Sequence, residues 1–190
     1  MADSFSTRGF PAGVCTDPSP TRLDVRPARR VSDAYAALAH ARSLPEIDAR
    51  RIGMMGGSHG GTTTVLAVGA SRSGFAAAVA LYPGCFSKPT PYRVSAPLLI
   101  LTGEKDDWTP AEPCRRLAEA ASAAGQPVSI KIYPGAQHAF DSANPVRYVE
   151  TRMNGNSPTG RGATTGGDPE AWADSIRQVE AFFGKYLKAD

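Results

Sequence analysis

The sequence predicts an α/β fold, a mostly parallel sheet flanked by helices, on three observations. Pro97-Leu98-Leu99-Ile100-Leu101-Thr102-Gly103 is a continuous apolar run rather than an alternating one, as expected of a strand covered on both faces. A second strand, Val128-Ser129-Ile130-Lys131-Ile132-Tyr133, follows it across a helical stretch from Ala111 to Ala124, the spacing of a parallel crossover. A glycine-rich turn, Gly56-Gly57-Ser58-His59-Gly60-Gly61, lies between the apolar stretch Arg51–Met55 and the helix-like run that follows.

In chain order, a proline-punctuated segment from Phe10 to Pro27 comes first, then a helix from about Ala28 to Leu44. One convincing strand, around Ile52 to Gly56, precedes the glycine-rich turn, and a helix from Gly60 to Ser71 follows it. Phe75 to Tyr82 reads as the next strand, before the Pro97–Gly103 and Val128–Tyr133 strands already described. From Asn144 to Gly167 the chain is polar, rich in Gly, Asn, Ser and Thr and nearly aperiodic, which predicts a mobile loop forming a rim or lid. Asp168-Pro169 is a helix start signal for the last element, to Leu187. There Ala171, Trp172, Ile176, Val179, Phe182, Phe183 and Tyr186 recur at helical spacing, as a core-packing stripe does.

Composition narrows the function classes. At 190 residues, with 42% hydrophobic and 21% charged residues, the chain can bury one core, so residues 1–190 are read as a single unit. Within it, 1–27 is a loop segment and 28–190 the part that carries the chemistry. A net charge of +3 is mild, and the densest basic stretch, Arg22, Arg26, Arg29 and Arg30, is diluted by prolines and lacks interleaved aromatics. That describes a solvated face, not a nucleic-acid surface. No stretch reaches the roughly 18 apolar residues of a membrane span, and the amino terminus lacks a signal-peptide apolar core, so the default expectation is a soluble cytoplasmic chain. The three cysteines, Cys15, Cys85 and Cys114, share no metal-ligand spacing; neither a disulfide framework nor a zinc site follows, and Cys85 and Cys114 read as small buried residues. An exported parent protein would leave room for two of them to pair. No phosphate-binding glycine motif is present.

The chemistry sits at the glycine-rich turn. A Gly-x-Ser-x-Gly pattern between a strand and a helix is a nucleophile elbow: the chain reverses sharply, and glycines two residues before and after the serine avoid collision with the neighbouring strand and helix. Ser58 is thereby held exposed at the amino end of a helix, where the backbone N–H of His59 faces a developing oxyanion. A serine hydroxyl is a poor nucleophile until a base takes its proton, so a histidine and an orienting carboxylate are required. Of the three histidines, His40 falls on a helix surface and His59 offers its backbone rather than its ring. His138, just past the Val128–Tyr133 strand, is the well-placed base. Asp106, after the Pro97–Gly103 strand, is the preferred carboxylate on the turn geometry, with Asp107 as the alternative and Glu104 a distant third; the one not used is expected to cap the helix near Ala111. Asp141 reads as a local turn or cap residue. Each member lies past the carboxyl end of a strand, the edge where open α/β sheets bind ligands.

Three stretches, Arg51–Gly61, Gly103-Glu104-Lys105-Asp106-Asp107-Trp108-Thr109-Pro110 and Tyr133-Pro134-Gly135-Ala136-Gln137-His138-Ala139-Phe140-Asp141, resemble the signatures of dienelactone hydrolase-like α/β-hydrolases. Asp3–Gly9 resembles the segment after the fourth strand of those proteins. The resemblance implies a Ser58-His138-Asp106 triad, since the family's carboxylate is the third residue after the glycine. It implies no metal or organic cofactor and a small-molecule ester or lactone substrate. The family's namesakes use cysteine where this chain has Ser58, so a broader ester or acyl hydrolase is the implied activity. The Gly-Gly-Ser-x-Gly-Gly pattern also resembles the prolyl oligopeptidase-type peptidases. Four strands that precede the nucleophile in the family fold have no counterpart here, nor does the loop that supplies a second oxyanion donor. About four strands are therefore expected, in an N-terminally truncated α/β-hydrolase fold. Two expectations follow: self-association through an exposed sheet edge, and a rival reading as an inactive remnant that needs a partner for the missing strands.

Overall fold

The computed structural model describes residues 3–69, 72, 74–85 and 92–188. Four parallel strands form the main sheet in the order β1-β2-β3-β4: β1 (Gly53–Gly57), β2 (Ala77–Leu81), β3 (Leu98–Gly103) and β4 (Val128–Tyr133). Every residue of β2 and β3 is buried, which explains why these strands read as unbroken apolar runs. Because side chains alternate along a strand, the two faces divide cleanly. Ala78, Ala80, Leu98 and Ile100 pack against α2 (His59–Val68) and α3 (Ala111–Ala123). Val79, Leu81, Leu99 and Leu101 pack with Phe140 and the last helix, α4 (Pro169–Leu187). Helix α1 (Pro27–Ser43) lies against α2 through Tyr35, Leu38 and Ala67.

Several differences from the sequence expectation have physical reasons. Segment 1–27 is not plain loop: 3-10 turns occupy Ser6–Arg8 and Pro20–Val25. Arg8 donates two 2.8 Å bonds to Asp33 of α1, fastening this segment to the body. The predicted end of the helix after the turn, Ser71, lies outside the described residues; α2 runs to Val68. On α4, Ile176 is 48% exposed while Ser175 is buried and donates to the Trp172 carbonyl, so the inward stripe passes through a serine. Cys85 and Cys114 form a disulfide with a Cα–Cα separation of 5.0 Å. Their 29-residue separation carries no sequence signature of pairing, because the contact is made by the crossover from β2 to α3.

The largest correction concerns 144–167. This stretch holds an antiparallel hairpin, β5 (Arg147–Met153) and β6 (Arg161–Thr165), with a register irregularity between Val149 and Met153. Strand β5 is mostly exposed and β6 buries only the adjacent Gly162 and Ala163, so neither shows an alternating buried face that would impose a period on the sequence. Polar bonds hold it instead. Asn154 is buried and its amide donates to the carbonyls of Asp107 and Gly162, while the Met153 N–H donates to the Cys15 carbonyl.

Strand β1 is the sheet's edge: among the described residues no strand pairs with its other side, and Met55 is 51% exposed. A row of unpaired backbone groups beside apolar side chains invites pairing with a second copy. Self-association at micromolar concentration is the expected outcome in size-exclusion chromatography with light scattering. A sharp monomer with cooperative unfolding would show that the edge is protected in solution.

Candidate active site

Ser58 sits between β1 and α2 with φ 53°, a left-handed conformation that a serine adopts only when the surroundings hold it there. What holds it is on both sides. The Ser58 N–H donates to the Leu81 carbonyl of β2 at 2.9 Å, and its carbonyl accepts the Thr62 N–H at 2.8 Å. A side chain at Gly56 would bring its Cβ within 2.5 Å of the Gly60 backbone, as expected for the position two before the serine. The position two after is different: a Cβ on Gly60 would meet nothing within 4 Å, whereas one on Gly61 would come within 2.6 Å of the Leu81 carbonyl oxygen. The helix leaves the turn so that its third residue, not its second, faces the sheet.

The structure brings Ser58, His138 and Asp106 together. Ser58 Oγ lies 2.8 Å from His138 Nε2, and His138 Nδ1 lies 2.8 Å from Asp106 Oδ2. His138 and Asp106 are both buried. The His138 ring stands between two aromatics, with the Tyr82 and Trp108 ring centroids each 4.7 Å away. An acceptor-only carboxylate at Nδ1 fixes the tautomer with Nδ1 protonated, leaving Nε2 free to accept from a serine hydroxyl. The Asp106 carboxylate is itself held firmly: Oδ1 accepts the N–H groups of Trp108 at 2.9 Å and Thr109 at 2.8 Å.

The other carboxylates have different partners. Asp107 does not cap α3, whose start has no side-chain cap; it accepts the Thr164 N–H at 2.8 Å and the Thr164 hydroxyl at 2.7 Å, tying β6 to the turn. Glu104 accepts the Gly135 N–H. Asp141 accepts the Tyr82 hydroxyl at 2.8 Å instead of capping a turn; burial first, and then this carboxylate, push the Tyr82 phenol well above its ordinary value.

His59 opens α2, so its N–H has no carbonyl within the helix to bond and points out from the positive end of the helix dipole. Its ring contacts Arg30 of α1, which donates to Nδ1 at 2.8 Å, and Phe5 of the amino-terminal segment, which packs edge-on. Burial and the adjacent Arg30 charge lower the His59 ring to about 4, so it is neutral near pH 7. Among the described residues, no group of three or more His, Cys, Asp or Glu side chains could hold a metal ion.

Sequence reasoning missed the groups that brace His138 from outside the triad. Trp108 donates from its indole to the Met153 carbonyl, and the Thr165 hydroxyl donates to the His138 carbonyl. The Tyr148-Val149 and Thr164-Thr165 pairs, rich in β-formers, were the signal that could have found the hairpin.

Comparison with known proteins supports this geometry's setting. A family model described as the Dienelactone hydrolase family matches residues 21–187. A curated protein of Methylorubrum extorquens, named "Putative carboxymethylenebutenolidase", is 33% identical over 123 residues, which are 60% of this chain and 42% of that protein. This chain's match thus spans less than half the length of that relative. Among solved structures, the "Putative Dienelactone Hydrolase" of Klebsiella pneumoniae superposes with a TM-score of 0.68 at 22% identity, covering 96% of this chain and 72% of the other. Thermogutta terrifontis esterase 2 gives a TM-score of 0.62 at 20% identity over 90% of this chain and 70% of the other. A puromycin-hydrolyzing peptidase of Mycobacterium tuberculosis gives 0.64 at 20% identity over 90% of this chain and 27% of the other. These structural likenesses establish a shared fold. No described helix is long and apolar enough to cross a membrane.

Proposed function

Since the chain belongs to the dienelactone hydrolase family, we propose that it is a serine hydrolase that cleaves carboxylic ester or lactone bonds through an acyl-enzyme. The observation that carries the reading is the continuous chain of 2.8 Å contacts from Ser58 Oγ through the His138 ring to the Asp106 carboxylate. In this reading His138 takes the Ser58 proton as Oγ attacks the carbonyl carbon, and Asp106 stabilises the imidazolium that forms. The oxyanion faces the His59 N–H, a contact of a kind worth about 3–4 kcal/mol in such enzymes. Collapse of the tetrahedral adduct transfers the His138 proton to the leaving alkoxide. Water, deprotonated by the same imidazole, then releases the acid and restores Ser58.

Serine in the nucleophile's place supports the broader ester class. A hydroxyl needs a neighbouring base for every attack, and His138 is in hydrogen-bond reach of it without rearrangement. Against the inactive-remnant reading stands the order of the whole constellation, down to the backbone donors on Asp106. The purified chain is expected to turn over p-nitrophenyl acetate with saturation and to hydrolyse the matching amide far more slowly. Preference for prolyl peptide anilides would favour the peptidase alternative. A chain inert to all three and unlabelled by a fluorophosphonate would overturn the proposal.

A further inference from the structure

Thr109 stands where three segments meet, and its hydroxyl reaches all three. It precedes Pro110, the residue at the cap position of α3, and that helix start has no side-chain cap. Thr109 Oγ1 lies 2.9 Å from Asp106 Oδ2, 3.0 Å from His138 Nδ1 and 3.0 Å from the Tyr82 carbonyl oxygen. These partners come from the turn after β3, the loop after β4 and the exit of β2. One hydroxyl has one proton. With Nδ1 protonated, His138 is no acceptor there, so the Thr109 proton goes to Asp106 or Tyr82, while its lone pairs face the Nδ1–H.

We infer that Thr109 is a positioning residue for the proposed hydrolysis, an inference that rests on the serine-hydrolase reading above. When the Thr109 proton goes to Asp106, its hydroxyl adds a third donor to a carboxylate whose Oδ1 already accepts two backbone N–H groups; when it goes to the Tyr82 carbonyl, the oxygen still accepts from the Nδ1–H. It also locks the imidazole's rotation to the end of β2, the strand whose Leu81 carbonyl holds Ser58. The nucleophile and the base are thus referred to the same strand, one through Leu81 and the other through Tyr82 and Thr109. Tyr82 itself has φ 34°, so this strand exit holds its carbonyl in a conformation that a tyrosine seldom adopts alone.

The test compares Thr109→Val, which keeps the shape and removes the hydroxyl, with Thr109→Ser, which keeps the hydroxyl. Thr109→Val should lower kcat for p-nitrophenyl acetate about ten- to a hundredfold, the scale of one lost hydrogen bond to a charged pair, with KM within about twofold. Thr109→Ser should restore kcat to within a few-fold. The low-field proton resonance of His138 Nδ1–H should persist in the wild type and the serine variant, and shift or broaden in the valine variant. Should the valine variant fail to fold, Thr109→Ala read by the same resonance replaces it. Unchanged kcat and an unchanged resonance without the hydroxyl would overturn the inference. A wild type inert to esters would instead sink the hydrolase reading, and the resonance would still decide the role of Thr109.

Discussion

Ser58→Ala is expected to abolish labelling by a fluorophosphonate and to lower ester turnover by roughly a millionfold, the scale seen when the nucleophile of such a triad is removed. The protein should stay folded, because the bonds that hold the turn are made by the Ser58 backbone: its N–H to Leu81 and its carbonyl to Thr62. Alanine is strained at φ 53° as serine is, so Tm should change little and unfolding should stay cooperative. Labelling that persisted in the variant would assign the activated nucleophile to another residue.

Asp106→Asn should be nearly as damaging, about ten-thousandfold in kcat. No orientation of an asparagine satisfies the site. With its oxygen toward Trp108 and Thr109, its amide would point N–H groups at the protonated Nδ1 of His138. Turned over, the amide would face two backbone N–H groups that have no other acceptor. The imidazole must then change tautomer or tilt, and either removes the base from Ser58. Asp107→Asn, one residue on, should change kcat less than about tenfold, because its partner Thr164 offers an N–H and a hydroxyl, and the hydroxyl can accept as readily as donate. Stopped-flow or steady-state ester kinetics on the two variants decides it. Reversed severities would exchange the roles of the two carboxylates.

The sheet and the elbow were legible because their signals are local. Buried parallel strands must be apolar throughout, and a sharp strand-to-helix turn must be glycine-rich, so both announce themselves within a few residues. The choice of Asp106 over Asp107 was only partly legible from the residues. Neighbours with the same side chain differ only in which way the turn aims them, and that direction is set by the N–H groups of Trp108 and Thr109 closing on Asp106. The shape of the turn favoured Asp106, and the family's spacing supported it. The hairpin escaped because β5 is mostly exposed and β6, across a register irregularity, buries two adjacent residues, so no alternating pattern marks either strand. Thr109 escaped for a different reason: the partners that define it, Tyr82 and His138, are 27 and 29 positions away. Gly61 was obscured by Gly60, since two adjacent glycines do not reveal which of them the sheet requires.

The hairpin's place in the chain bears on how the site comes into being during synthesis. Ser58, Asp106 and His138 leave the ribosome in that order, and each of their strands can dock as it emerges. The clamps arrive later: Met153 for the Trp108 indole, Thr164 for Asp107, and Thr165 for the His138 carbonyl. A nascent chain ending before residue 165 therefore carries all three reactive side chains with the loop around His138 still unfastened. The bonds that brace the trio's surroundings are made by the segment translated after it, so a prematurely released product would hold the three residues without those clamps.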